Sequence, residues 1–261
     1  MKLVVITMAR NEEKIIPHFI KHYSDIADKI IVVDHLSEDS TIKTAEETAE
    51  ELGVNLEIKI LANKGFNEDM KKSVFQSVSK ACRDEFDVAI VVDTDEFWHF
   101  KKGHTRGVIE ALWKLTKGNL AIRPEGYHMV SDSFPEYTGV KLVDIIKEGA
   151  RDERFDKPGC FSTNLNLIAG PGMHWAVHSI TIDSKPMRAK IVENTGLKLL
   201  HYKHLGLEHR ISRVKDVANN LDDQGKEQLN KGIGAHPLAW TEDQLREEYE
   251  DFKEKKKRLD L

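Results

Sequence analysis

Asp93, Asp95 and Glu96 put three acids within four positions, directly after the apolar run Val88-Ala89-Ile90-Val91-Val92. Like charges gathered at the end of a buried strand each raise the cost of ionising the next, and packing gives no reason to collect them. A divalent cation removes that cost, and hard carboxylate oxygens are the ligands that Mg2+ or Mn2+ prefer. A metal held there would stabilise charge developing on a departing phosphate-bearing group. A solvated acidic loop has the same composition, so the elements that carry these residues must decide between the two.

Short apolar runs alternate with longer amphipathic ones through the first half of the chain. Lys2–Met8 reads as a strand covered on both faces. Glu12–Tyr23 has helical spacing through Ile15, Ile16, Phe19, Ile20 and Tyr23. Lys29–Val33 is a second strand, Thr41–Leu52 a helix stopping at Gly53, and Leu56–Leu61 a third strand. Asn67–Cys82 is a third helix and Val88–Val92 a fourth strand. That order predicts an α/β fold with a mostly parallel sheet flanked by helices. Sites in such sheets gather beyond the carboxyl ends of the strands. The polar residues there are Ala9-Arg10-Asn11-Glu12, Asp34 with Ser37 and Asp39, Asn63-Lys64-Gly65, and the 93–96 cluster. Further on, Gly107–Thr116 looks helical, Asn119–Arg123 and Ser179–Asp183 look like strands, and residues 124–200 carry most of the prolines. From Leu207 the chain is polar and helical apart from a break at Gly232–Pro237.

The 261 residues, 40% hydrophobic and 32% charged, suffice for one substantial core. No apolar run approaches the roughly 18–20 residues of a membrane span. Met1-Lys2 leads into Leu3-Val4-Val5-Ile6, too short for a signal h-region, so a cytoplasmic protein is expected. Cys82 and Cys160 provide neither a disulfide framework nor a CxxC site. A net charge of −5 leaves no basic footprint for nucleic acid. The basic run Lys253–Arg258 suits the end of a solvated helix. Met8-Ala9-Arg10-Asn11-Glu12-Glu13 contains no glycine, which argues against a dinucleotide-binding oxidoreductase. A haloacid-dehalogenase-type phosphatase, with Asp93 as nucleophile, is a further rival. In that family, however, the DxD follows the first strand and a small hydroxyl residue stands where this chain has Phe97.

Ile6–Glu13 resembles the opening of family 2 glycosyltransferases of the GT-A fold. Val32–Thr41, an Asp followed by a Ser-x-Asp-x-Thr turn, resembles their second-strand motif. Asp93-Thr94-Asp95-Glu96-Phe97 is similar to the DxD form of a subgroup with a DEF extension. The three matches fall in order across roughly residues 1–100. The resemblance implies a nucleotide-sugar donor, with Ala9, Arg10, Asn11, Asp34, Asp93 and Thr94 around the nucleotide and Asp95 on a metal, Mn2+ or Mg2+, that bridges the diphosphate. Asp93 would face the ribose or that metal. Lys72, in the third helix, is a candidate helper for the leaving group.

His201, in Gly196–Lys203, resembles the late His-Tyr segment of the subgroup and would complete the metal site. The family's base lies in a Glu-Asp pair that this chain lacks between residues 124 and 200. His174, next to Trp175 and preceded by glycines, is the first substitute, since imidazole titrates near neutrality. Asp152 and Glu153 come next. The expected organisation is a glycosyltransferase domain over 1–205, with 1–100 for the nucleotide sugar and 123–205 for a saccharide or other hydroxyl acceptor, and a helical extension over 206–261. Transfer with inversion follows from the resemblance. A module that keeps the nucleotide pocket but has lost its base is the alternative.

Overall fold

In a computed structural model, the chain is described over residues 1–63, 65–170, 176–182, 185–189, 191–232 and 239–261, with backbone only for residues 102, 169, 176–182 and 185–188. The first half alternates as its apolar pattern predicts: β1 (Leu3–Ala9), α1 (Ile16–Tyr23), β2 (Lys29–Asp34), α2 (Thr41–Leu52), β3 (Leu56–Ile60), α3 (Glu68–Ala81) and β4 (Val88–Val91). These four strands run parallel in the order β3-β2-β1-β4. Both faces of β1, β2 and β4 are covered, which explains their continuous apolar runs, while β3 at the edge is only partly buried. Leu3, Val5 and Ile30 pack with α1 and with Ala45 and Ala49 of α2, whereas Val4, Ile6 and Ile31 pack with Phe75 of α3 on the other face. Helix ends follow local chemistry. Gly53 closes α2 in the left-handed conformation, and the Asn67 side chain caps α3 by accepting from Met70 N at 2.8 Å.

The remaining elements are β5 (Glu96–His99), α4 (Thr105–Leu115), β6 (Ala121–Ile122), β7 (Glu125–Ser131), α5 (Leu142–Ile145), β8 (Glu148–Arg151), β9 (Cys160–Ser162), β10 (Asn166–Ala169), β11 (Ala176–Ile182), β12 (Lys185–Arg188), β13 (Lys198–Leu205), α6 (Leu207–Asn219), α7 (Asp223–Asn230), α8 (Glu242–Lys255) and β14 (Lys257–Arg258). β9 and β6 extend the first sheet beyond β4, with β9 antiparallel to both. A second sheet has the order β14-β8-β7-β13-β5, and a third has the order β10-β11-β12. None of the described helices is long and apolar enough to cross a membrane.

Two features of this architecture place the site. Strand order reverses between β1 and β4, so a crevice opens beyond their carboxyl ends. The C-terminal helices pack back over that crevice. Phe66 N donates to Asn220 O at 2.7 Å, Asn67 Nδ2 to Asp222 Oδ2 at 2.6 Å, and Gln224 and Gln228 both donate to Asp69 at 2.8 Å. α6 and α7 are thereby tied to the start of α3.

The end of β4 is held closely on its other side by Gly159, whose carbonyl accepts from Val91 N at 2.8 Å. A Cβ at residue 159 would lie 2.4 Å from Val91 O, a backbone atom that cannot rotate away. Gly159→Ala should therefore cost about 1–3 kcal/mol. The urea midpoint should fall at unchanged slope.

Candidate active site

The residues after β1 and β2 first build their own frame. Arg10 donates to the carbonyls of His35 at 2.9 Å and Leu36 at 2.7 Å, holding Leu36 at φ 54. Asn11 stands at φ 53, a left-handed backbone that Asn tolerates better than most residues. Its side chain accepts from Glu38 N at 2.8 Å and donates to Asp216 Oδ1 of α6 at 2.9 Å. Asp34 is buried, accepts from Ser37 N at 3.1 Å through one oxygen, and keeps its other oxygen without a protein partner. It does not reach the wall of the crevice; His35 does, anchored through Nε2 to Asn63 O at 2.8 Å.

The crevice encloses a cavity of about 240 Å³, whose wall carries Ala9, Arg10, Asp93, Thr94, Asp95 and His201 among the residues singled out in the sequence. Asp93 pairs with Lys71 of α3 at 2.5 Å. Burial pushes the Asp93 carboxyl up, but Lys71 and Lys157 outweigh it and hold the acid below its ordinary value. Burial likewise opposes the charge on Lys71, yet Asp93 and Glu68 win and raise it. Glu96, the third acid of the cluster, turns away to Lys157 and accepts from Asp93 N at 3.2 Å.

Asp95 is the more heavily engaged acid. Its Oδ2 lies 2.5 Å from Arg213 Nη1 of α6 and 3.3 Å from His201 Nε2 of β13. Against the cost of burial, these neighbours hold it well below its ordinary value. His201 is brought there by register: it lies opposite Glu96 of β5, and Tyr202 N donates to Asp95 O at 2.7 Å. The second arm of Arg213 reaches Glu12 Oε1. Burial raises Glu12 from 4.5 to about 7; Arg213 opposes the shift and Asp95 adds to it. At the rear, Lys203 and Arg210 share Glu248 at 2.8 and 3.0 Å, and burial together with Arg210 lowers Lys203 to about 8.

Other sequence candidates lie elsewhere. Lys72 pairs with Asp69 on its own helix at 2.5 Å and is off the cavity wall. Asp152 is held by His128 at 3.3 Å and Arg154 at 2.7 Å, also off the wall, and Glu153 sits exposed in the adjacent turn. His174 lies outside the described residues. Sequence reasoning missed Lys71, Arg213, Lys203 and Arg210, and noted Glu12 without giving it a role. Lys71 is four residues before the buried Phe75, and Arg210, Arg213, Val214 and Val217 share one helical stripe; both spacings point inward.

Among the described residues, no three His, Cys, Asp or Glu side chains are grouped to hold a metal ion. The carboxylate oxygens of Asp93 and Asp95 suit Mn2+ or Mg2+ in kind, while the imidazole of His201 is a donor for a transition metal and not for Mg2+. With Arg213 already on Asp95 Oδ2, an ion there requires that guanidinium to move aside.

No protein-family model matches the chain, and no curated protein matches it. Among solved structures, glucosyl-3-phosphoglycerate synthase from Mycobacterium tuberculosis, in complex with Mn2+, UDP-glucose and phosphoglyceric acid, is 18% identical over 49% of this chain and 44% of that chain, with a TM-score of 0.32. Its complex with Mg2+ and UDP is 16% identical, over 49% and 43%, also at 0.32. A mycobacterial protein structure is 18% identical over 49% and 41%, at 0.34. The matched region is under half the length of each of these structures, and superposition at this level carries no functional argument.

Two outcomes follow from the charges. Arg213→Ala leaves Glu12 and Asp95 buried without their shared cation, and should cost about 3–5 kcal/mol in denaturant titration. Glu12 is raised on folding, so between about 4.5 and 7 the native state holds a proton that the unfolded chain has lost. Its contribution is thus favourable at low pH and is lost as pH rises through that window. At about 1.4 kcal/mol per unit, up to about 3 kcal/mol of this pH dependence should vanish in Glu12→Gln, measured by urea unfolding from pH 4.5 to 8.

Proposed function

We propose that this chain is a metal-dependent glycosyltransferase of the GT-A type, transferring a sugar with inversion from a nucleotide-sugar donor to a saccharide or other hydroxyl acceptor. The observation that carries the reading is the paired array Lys71–Asp93 and Arg213–Asp95 on one cavity at the β1/β4 switch point. Open α/β sheets bind ligands at that position. A nucleoside diphosphate leaving group needs compensation for its developing charge, and two part-buried cations within a small cavity are suited to supply it. Ala9, Arg10 and Thr94 are on the wall where the motif resemblance expects the nucleotide. Asn11 and Asp34 support that wall from behind, through the 35–38 turn.

A divalent ion on Asp95 and His201, with Asp93, would add Lewis-acid neutralisation of the diphosphate. The protein's own part is to hold the acids ionised, to orient His201 by strand register, and to keep Lys71 and Arg213 charged beside the leaving group. In this reading residues 1–100 hold the donor and the acceptor side draws on 123–205, while α6 of the 206–261 segment adds Arg213 to the wall. A binding module without turnover is favoured by one observation only, that Asp152 and Glu153 do not reach the cavity.

Asp95→Asn should abolish Mn2+-dependent binding of UDP, GDP or ADP in calorimetry and abolish turnover of the matching sugar nucleotide. Lys71→Met should keep binding measurable but weaken it about tenfold or more, since it removes a single charge-assisted contact. Binding by the Asn variant equal to wild type would overturn the assignment.

A further inference from the structure

Resting on the glycosyltransferase reading, we propose that a second, larger cavity takes a neutral polyhydroxylated acceptor, and that Glu12, in the wall common to both cavities, removes the proton from its attacking hydroxyl. The larger cavity, about 670 Å³, opens on the other side of Arg213 and Glu12, between the 10–14 segment, α6 and the 132–134 loop. Of the acids in the common wall, Glu12 and Asp216, the latter is occupied by the Asn11 amide at 2.9 Å. Asp95 lines only the smaller cavity, and Arg213 and His201 keep it ionised as a charge holder. Glu12 is therefore the carboxylate placed between a donor and an acceptor bound on either side.

The chemistry of Glu12 suits that task. A general base must lie within reach of the proton it takes, and Glu12 is a carboxylate that faces both cavities. The acceptor O–H proton passes to the Glu12 carboxylate, the acceptor oxygen bonds to the anomeric carbon, and the bond from that carbon to the diphosphate oxygen breaks. Its electron pair leaves with the nucleoside diphosphate. Once Glu12 is neutral, the Arg213 arm that held it can turn to the departing diphosphate; the proton is lost to water afterwards.

The wall of the larger cavity narrows the acceptor class. Glu13, Asp39, Asp132 and Glu208 stand there with Glu12 and Asp216, against Arg10, Lys14 and Arg213, beside a Phe134 ring that contacts His209 at 4.4 Å between centroids. Carboxylates accept from hydroxyl groups and an aromatic ring offers an apolar face, which suits a neutral sugar. An acceptor bearing a phosphate would meet an excess of acid.

The test uses the full chain with Mn2+ and UDP-, GDP- and ADP-glucose, following donor hydrolysis alone and with maltose or glucose 6-phosphate added. Glu12→Gln should lower turnover about 100-fold or more, while nucleoside diphosphate affinity stays within about threefold. In Glu12→Ala, sodium azide, a nucleophile that needs no deprotonation, should restore turnover and form glucosyl azide. Maltose should raise wild-type turnover and glucose 6-phosphate should not. Turnover retained in Glu12→Gln, nucleotide affinity lost with it, or absence of azide rescue each overturns the base assignment. Stimulation by glucose 6-phosphate overturns the acceptor class. A wild-type protein that binds none of the three nucleoside diphosphates overturns the glycosyltransferase reading itself, and this inference with it.

Discussion

The guanidinium of Arg213, held between Asp95 and Glu12, is the interaction on which the crevice depends. Two carboxylates buried side by side cannot both stay ionised without a shared cation. A planar group with a fixed fork of donors meets that need better than a lysine would. The same contact docks α6 over the carboxyl ends of β1 and β4, one turn from the Asn11–Asp216 hydrogen bond that fixes the helix's rotation. β13 then closes the acidic turn from the other side through Tyr202 and His201.

Around that centre, charge is compensated pair by pair: Lys71 with Asp93, Lys157 with Glu96, and Lys203 and Arg210 with Glu248. A buried ion pair is weak evidence for stability, because desolvation offsets the attraction. What the arrangement supplies is orientation. Lys71, Lys203, Arg210 and Arg213 already line the crevice before any anion arrives, so an entering anion exchanges one set of partners for another and little reorganisation is required.

The parallel half of the fold was legible because β1, β2 and β4 are buried on both faces and each crossover helix shows a single apolar stripe. Helix limits shifted by a few residues, as α1 begins at Ile16 although the helical pattern starts at Glu12. The second sheet was not legible: its strands of two to eight residues include pairs far apart in sequence, as β13 with β5, and only register tells which residues meet, whereas the third sheet pairs neighbouring strands and only its middle one, near Ser179–Asp183, was expected. Asp93, Asp95 and His201, which share the cavity wall, could be singled out because an acidic cluster after a buried strand and a His ending an apolar run are local signals. Lys72 was chosen in place of Lys71, and one step along a helix turns a side chain by about 100°. Arg213 had only the look of a solvated helix, since the acids that bury it lie 118 and 201 residues away.

That separation has a consequence for how the protein is made. The strands of the switch point, β1 and β4, are complete once Val91 has been synthesised, and the acids Glu12 and Asp95 are present soon after. Their cation follows 118 residues behind Asp95, on the order of ten seconds of synthesis at about 5–20 residues per second. Until then a nascent chain must keep both acids hydrated, with the crevice open to water. A chain that stops short of α6 keeps Lys71 for Asp93 but lacks the cation that Glu12 and Asp95 share.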